Sequence, residues 1–301
     1  MTDLLTYLTY RAGAGIFGAL PEPIVRHLGR WAGRLCWLWA GERKAMAIRH
    51  MGRVLGRGDA RAVERAAREV FSAYGRYWAE TLWFRPRRAD AVRSRVTLTG
   101  LEHVRAAQET GRPIVAALPH VGNWELAGTL AEDANVQITA VAEALANRRL
   151  ARWFTGMRAQ LGIRVVLAEG LSTMRALRND MMEGRVIALV ADRDIGGRGV
   201  EVEFFGERTT LPAGPAALAI RNAAVLLPVV SYFKRGAGHR VVVLAPIEDP
   251  GLEDPDRMAS ITQQLAHRYE DMIREAPTQW HLVQPNWPSD RDFLERRRED
   301  A

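Results

Sequence analysis

Pro113-Ile114-Val115-Ala116-Ala117-Leu118 runs directly into Pro119-His120-Val121-Gly122-Asn123-Trp124-Glu125, and the joint between the two decides the fold. A short apolar run of this kind, bounded by prolines, has the length and composition of a strand buried on both faces. Asn123 then reads as a helix N-cap, with Trp124 and Glu125 in the first turn. The order is strand, loop, helix, and His120 falls on the loop.

The same alternation continues outward. Strands are expected at Arg95 to Leu98, Pro113 to Leu118, Gln137 to Ala142, Arg164 to Leu167, Val186 to Val190, Val200 to Phe204, Leu227 to Phe233 and Arg240 to Ala245. Helical patterns fall between them at Trp124 to Glu132, Arg148 to Leu161, Leu171 to Glu183 and Ala213 to Asn222, and a long helix follows at Asp256 to Ala276. This predicts an α/β class fold with a mostly parallel or mixed central sheet flanked by helices. Ligands in such sheets gather at the carboxyl ends of the strands, which is where His120 sits.

Residues 1–90 read as an N-terminal helical region belonging to the same fold as an α/β core at 91–301. His27 to Ala40, with Leu28, Trp31, Leu35, Leu38 and Trp39, and Ala62 to Phe84, with Phe71, Tyr74, Tyr77, Trp78 and Trp83, are both amphipathic. Trp and Tyr beside Arg suit a helix lying in a membrane interface, and a helix covering the protein core has the same pattern. No uninterrupted apolar run approaches the roughly 18 residues that span a bilayer, and the N-terminus lacks the basic start and cleavage site of a secretory signal. Cys36, the single cysteine, lies between Leu35 and Trp37 and is expected to pack as an apolar residue. It excludes an internal disulfide and a cysteine metal site.

The balance of 48% hydrophobic and 26% charged residues is that of a folded globular protein. The net charge is +7, and arginine carries it, because Lys44 and Lys234 are the only lysines. Arginine suits anionic lipid headgroups, phosphorylated substrates or nucleic acid, although a GC-rich genome produces the same bias. The aromatics cluster in apolar helices rather than on a single-strand platform, so nucleic acid is not expected as a partner. There is no P-loop, dinucleotide fingerprint or zinc pattern, and no metal is expected. Gly196-Gly197-Arg198-Gly199 reads as a turn.

Within one regular helix, a five-residue separation places two side chains about 140° apart. With His120 on the preceding loop and Gly122 easing a bend, the imidazole is expected to turn back toward Glu125. The carboxylate then fixes the ring tautomer and leaves the other nitrogen to accept a proton from a hydroxyl. Pro212-Ala213-Gly214-Pro215 opens a helix and suits either an anion or a plain strand-to-helix turn, so the oxyanion-stabilising group stays unassigned.

Leu118-Pro119-His120-Val121-Gly122-Asn123-Trp124-Glu125-Leu126-Ala127-Gly128 resembles the His-x4-Asp/Glu motif of the lysophospholipid acyltransferase superfamily, in its branch of lipid A and phosphatidylinositol mannoside acyltransferases. Ala191-Asp192-Arg193-Asp194, Val202 to Glu207, Leu211 to Ala216 and Trp280-His281-Leu282-Val283-Gln284-Pro285-Asn286-Trp287 follow the order of that family's later blocks. The resemblance implies a glycerolipid-acyltransferase-like fold, His120 as base, Glu125 as its orienting partner, and Asp192 in a position associated with the histidine. It implies Arg193 and Arg158 toward the acceptor's phosphate or polar head, Glu143 toward sugar hydroxyls, and His281 in the acceptor pocket. Asp192, Arg193 and Asp194 also fit a plain ion-pair network. The implied reaction moves a palmitoyl-like chain from acyl-CoA, a co-substrate and not a cofactor, to a glycolipid hydroxyl. The expected setting is the cytoplasmic face of the plasma membrane, with the basic helical N-terminus on anionic lipid. Two rivals remain: a lipid A-type enzyme using acyl-carrier protein, and an inactive lipid-binding protein that has kept the fold.

Overall fold

The computed structural model describes residues 2–300 apart from Glu132, Ala144, Leu145 and Glu169. Four helices come first: α1 (Thr2–Ala19), α2 (Glu22–Cys36), α3 (Glu42–Leu55) and α4 (Ala60–Trp83). A short α5 (Ala89–Arg93) leads into β1 (Val96–Thr99), α6 (Leu101–Glu109), β2 (Ile114–Leu118) and α7 (Trp124–Ala127). Next come β3 (Ile138–Ala142), α8 (Arg148–Ala159), β4 (Ile163–Leu167), α9 (Leu171–Met182) and β5 (Val186–Val190). The chain continues through β6 (Val200–Phe204), β7 (Glu207–Leu211), α10 (Gly214–Asn222), β8 (Val225–Phe233), β9 (His239–Val243), α11 (Arg257–Glu275) and α12 (Pro288–Glu299).

The expected α/β class is what forms. Seven strands make one sheet in the order β1-β9-β8-β2-β5-β3-β4, parallel throughout except where β8 meets β9, and β6-β7 is a separate antiparallel hairpin. The period of two along each strand sorts the residues between two environments. Val115, Ala117, Ile187, Leu226 and Val230 enter the main core with α3, α4 and α11, whereas Ile114, Val186, Leu227 and Val243 belong to a smaller cluster on the opposite face.

That second face is thinly covered. Where a helix from Trp124 to Glu132 was expected, α7 ends at Ala127 and a 3₁₀ turn at Gly128–Leu130 replaces the rest; Glu132 lies outside the described residues. Beneath it, Ala140, Ala188 and Ala116 stand opposite one another on three adjacent strands. Small side chains below and a short roof above leave an apolar cavity over the sheet, with Trp124, Glu125 and Arg158 also in its lining.

The two amphipathic segments separate in the structure. On α4, Phe71, Tyr77 and Trp83 are buried, so this helix covers the core. Leu28 and Trp31 on α2 are exposed, as are Leu38 and Trp39 just beyond it and Leu4, Leu5 and Leu8 on α1. Cys36 is exposed with them, contrary to the packing role expected from its neighbours: the helix turns Trp37 inward and Cys36 outward. No helix among the described residues is long and apolar enough to cross a membrane. Helices α2 and α4 meet backbone to backbone. A Cβ on Gly33 would lie 2.0 Å from the Phe71 carbonyl oxygen, and one on Gly75 would lie 2.1 Å from that of Gly29.

Candidate active site

Strands β2 and β5 are parallel neighbours, with Leu118 opposite Val190. Their register explains the site. His120 and Asp192 each lie two residues beyond that pair, at the same level and on adjacent chains. His120 Nδ1 lies 2.5 Å from Asp192 Oδ1, and the His120 amide donates to Oδ2 at 3.0 Å. The Trp280 indole N–H also donates to Oδ2, at 2.7 Å. Burial pushes the Asp192 carboxyl up, but the imidazole and these donors outweigh it and hold the group below its usual value. The aspartate is therefore an anion facing an Nδ1–H, which leaves Nε2 as the basic nitrogen of the ring.

The C-terminal segment clamps both loops. Gly122 N–H donates to Gln279 O at 3.0 Å, His281 N–H donates to His120 O at 2.8 Å, and Asn286 Nδ2 donates to the Asp192 carbonyl at 3.2 Å. Gly122 has φ +62°, and a Cβ there would stand 2.0 Å from Ser231 O, so the turn fits only glycine.

Glu125 is not the partner of His120. It lies in the first turn of α7, beyond the Asn123 cap, and its carboxylate meets Arg158 of α8, whose Nε lies 3.1 and 2.9 Å from Oε1 and Oε2 while Nη2 also donates to Oε1. The bend at Gly122 carries the backbone against β8 rather than turning the ring toward Glu125. Arg158, expected at the acceptor's polar head, is occupied by this bidentate pair in the lining of the apolar cavity. Glu143 follows β3 as an exposed residue and does not line the His120 pocket. Asp194 forms no ion pair with Arg193. It accepts from Gly196 N–H and Gly199 N–H at 3.0 and 2.6 Å and from Thr210 Oγ1 at 2.9 Å, which makes the glycine cluster a turn.

The imidazole of His120 is 32% exposed and opens into a pocket of about 210 Å³ that also holds Arg193 and His281. His281 is buried, and burial pushes its pKa down to about 3, so it is neutral; its Nε2–H donates to Gly122 O at 2.9 Å. Its Nδ1 has no partner, and neither has the buried Nε of Arg193. Tyr74, Tyr77 and Trp78 of α4 form an aromatic wall that sequence reasoning does not assign to the site. Their spacing marks one helix face, but nothing local in the sequence tells which cavity that face meets. Trp124 stands between the two spaces: it lines both the pocket and the apolar cavity, stacks on Tyr77 at 4.4 Å, and meets His120 edge-on at 5.2 Å. No cluster of potential metal ligands occurs among the described residues.

His120, held by the buried Asp192 carboxylate, stands beside an apolar cavity, an arrangement compatible with acyl transfer. Residues 2–289 match the family model of the bacterial lipid A biosynthesis acyltransferases, and the chain belongs to that family. It is 34% identical over 289 residues to the phosphatidylinositol mannoside acyltransferase of Mycolicibacterium smegmatis, covering 95% of this chain and 92% of the relative. A phosphatidylinositol mannoside acyltransferase of Mycobacterium tuberculosis is 35% identical over 296 residues, covering 96% and 91% of the two chains.

Proposed function

We propose that this acyltransferase moves a long, palmitoyl-like chain from acyl-CoA to a hydroxyl of a phosphatidylinositol mannoside or similar glycolipid, with His120 as general base. The observation that carries the reading is the His120 Nδ1 contact to buried Asp192 beside an apolar cavity. The substrate's hydroxyl stands where a serine would in a hydrolase triad. Nε2 takes the hydroxyl proton as oxygen attacks the thioester carbonyl, and the imidazolium that forms is stabilised by Asp192. Collapse of the tetrahedral intermediate expels the thiolate, which recovers the proton from His120. The thioester is already activated, so the reaction needs no cofactor or metal.

The acyl chain lies in the apolar cavity over the Ala140–Ala188–Ala116 row, and the acceptor occupies the aromatic pocket. There Arg193 meets the acceptor's phosphate or polar head, and Nδ1 of His281 accepts from a sugar hydroxyl. The exposed Leu4, Leu8, Leu28, Trp31, Leu38 and Trp39, with the exposed Arg11, Arg30 and Arg43 nearby in sequence, fit an anionic cytoplasmic leaflet.

Labelled palmitoyl-CoA and palmitoyl-acyl-carrier protein, each offered with glycolipid in anionic vesicles, test the reaction and separate the two donors. Transfer from palmitoyl-CoA that disappears in His120→Ala is the expected result. Full activity of that variant would refute the base. Vesicle binding without thioester turnover would favour the inactive lipid-binding alternative.

A further inference from the structure

A second group of buried charges lies against the His120 loop and plays no part in the chemistry above. Arg76 and Asn123 are fully buried, and Glu80 and His239 are each 1% exposed. Glu80 Oε1 accepts from Arg76 Nε at 2.7 Å, and Oε2 accepts from Asn123 Nδ2 at 3.2 Å. His239 Nε2 stands 3.4 Å from the same oxygen. The remaining Arg76 donors reach the carbonyls of Lys234 and Gly236 at 3.3 and 3.0 Å, with the guanidinium over the Phe233 ring.

Stability alone does not call for such a group, because well-packed apolar side chains often serve a buried site as well as an ion pair does. Orientation is what it supplies. The Asn123 amide is used at both ends: Oδ1 accepts from Leu126 N–H at 3.3 Å, and Nδ2 meets Glu80. Its backbone carbonyl accepts from Ser231 Oγ at 3.1 Å. With an N–H at one end and a carboxylate at the other, the amide has one acceptable orientation. Asn123 is thus pinned between α4 and β8, on the turn that begins at His120.

We propose that Glu80 is a positioning residue: acting through Asn123, it fixes the loop that presents the His120 imidazole to Asp192 and to the pocket. The proposal rests on His120 being the base, and an exchange of partners tests it. Glu80→Gln leaves Arg76 and Asn123 facing an amide that cannot satisfy both. Asn123→Asp removes the amide donor and sets two carboxylates together beside His239. In the double variant, the amide introduced at position 80 donates to the carboxylate introduced at position 123 and accepts from Arg76. That carboxylate still caps Leu126 and the total charge returns, while the Arg76 contact becomes neutral and His239 meets an amide in place of the carboxylate oxygen.

Each single substitution is expected to lower kcat about 100-fold, the cost of a misplacement near 1 Å, with little change in KM for the donor. The double variant should recover to within about 10-fold of wild type. A second readout, independent of turnover, is the rate at which diethyl pyrocarbonate modifies His120, followed by peptide mass. It should change in both single variants and return in the double one. A double variant no better than the worse single one in both readouts would overturn the proposal. So would single variants that melt earlier yet keep wild-type kcat and His120 reactivity. If a single variant does not fold, Asn123→Ser, which keeps a helix cap but loses the Glu80 bond, takes its place, and wild-type kcat there would also overturn it. A wild-type protein with no acyl transfer would refute the functional reading, while the reagent would still decide the role of Glu80.

Discussion

Asp192→Asn is the most informative single change, because it keeps the size of the side chain and alters only which atoms accept. In the wild-type protein, Oδ1 faces His120 Nδ1, while Oδ2 accepts from both the His120 amide and the Trp280 indole. Asparagine has one oxygen. If it faces Nδ1, two buried donors lose their acceptor, at about 1–3 kcal/mol each. If it faces those two donors instead, the amide NH2 points at Nδ1, and that is the cheaper arrangement. Nδ1 must then accept, so the ring proton moves to Nε2 and the base is lost. The same tautomer exchange in a serine protease triad lowers kcat by about 10⁴, equivalent to about 5 kcal/mol of barrier. The expected result is therefore a loss of about 10⁴ in kcat for transfer from labelled palmitoyl-CoA, in a protein that still melts cooperatively. A variant within about 10-fold of wild type would refute the assignment of Asp192 as the residue that sets the tautomer.

Glu125→Gln weakens the pair with Arg158 and not the base, so it should lower stability by about 2 kcal/mol by thermal or urea melts while reducing kcat far less than Asp192→Asn; equal losses would contradict the observed pairing. Ala188→Phe fills the middle of the alanine row and should lower kcat/KM for palmitoyl-CoA relative to octanoyl-CoA by at least about 10-fold in a chain-length series. Burial pushes the Asp290 carboxyl up, but His50, Arg49 and Arg53 outweigh it and hold the group far below the usual carboxylate range. Since its folded pKa lies below the unfolded value, its contribution is present above about pH 4 and fades as the solution is acidified below that. Asp290→Asn should thus cost about 3 kcal/mol at pH 7, and the gap to wild type in melting experiments should shrink toward pH 3.

Strands rich in Val and Ile between breaker residues were legible, and β5 and β6 carry the expected limits. β7 was not, because Glu207-Arg208-Thr209-Thr210-Leu211 has no apolar run and depends on its hairpin partner for form. The tail at Pro288–Glu299 reads as charged, yet it is a helix docked through Asp290 and Leu294. At the site, spacing drew attention to Glu125 because it is close in sequence. What pairs with His120 is decided across the sheet, where the ends of parallel neighbours come level. Had β2 and β5 been aligned at their carboxyl ends, Asp192 would have been the first carboxylate to consider. The aromatic wall from α4 depends on long-range packing and carries no local signature.

The contact between α2 and α4 has a mechanical consequence. Soft interfaces absorb displacement by letting side chains change rotamer, and where Gly29 and Gly33 press on Gly75 and Phe71 no such cushion exists. The outer face of α2 and the face of α4 that carries Tyr74 and Tyr77 are therefore held at a fixed spacing. Trp31, exposed on the outer face of α2, and the Tyr74–Tyr77 wall on α4 are thus joined through a seam of main chain on main chain, with no side chain between the helices at the glycines.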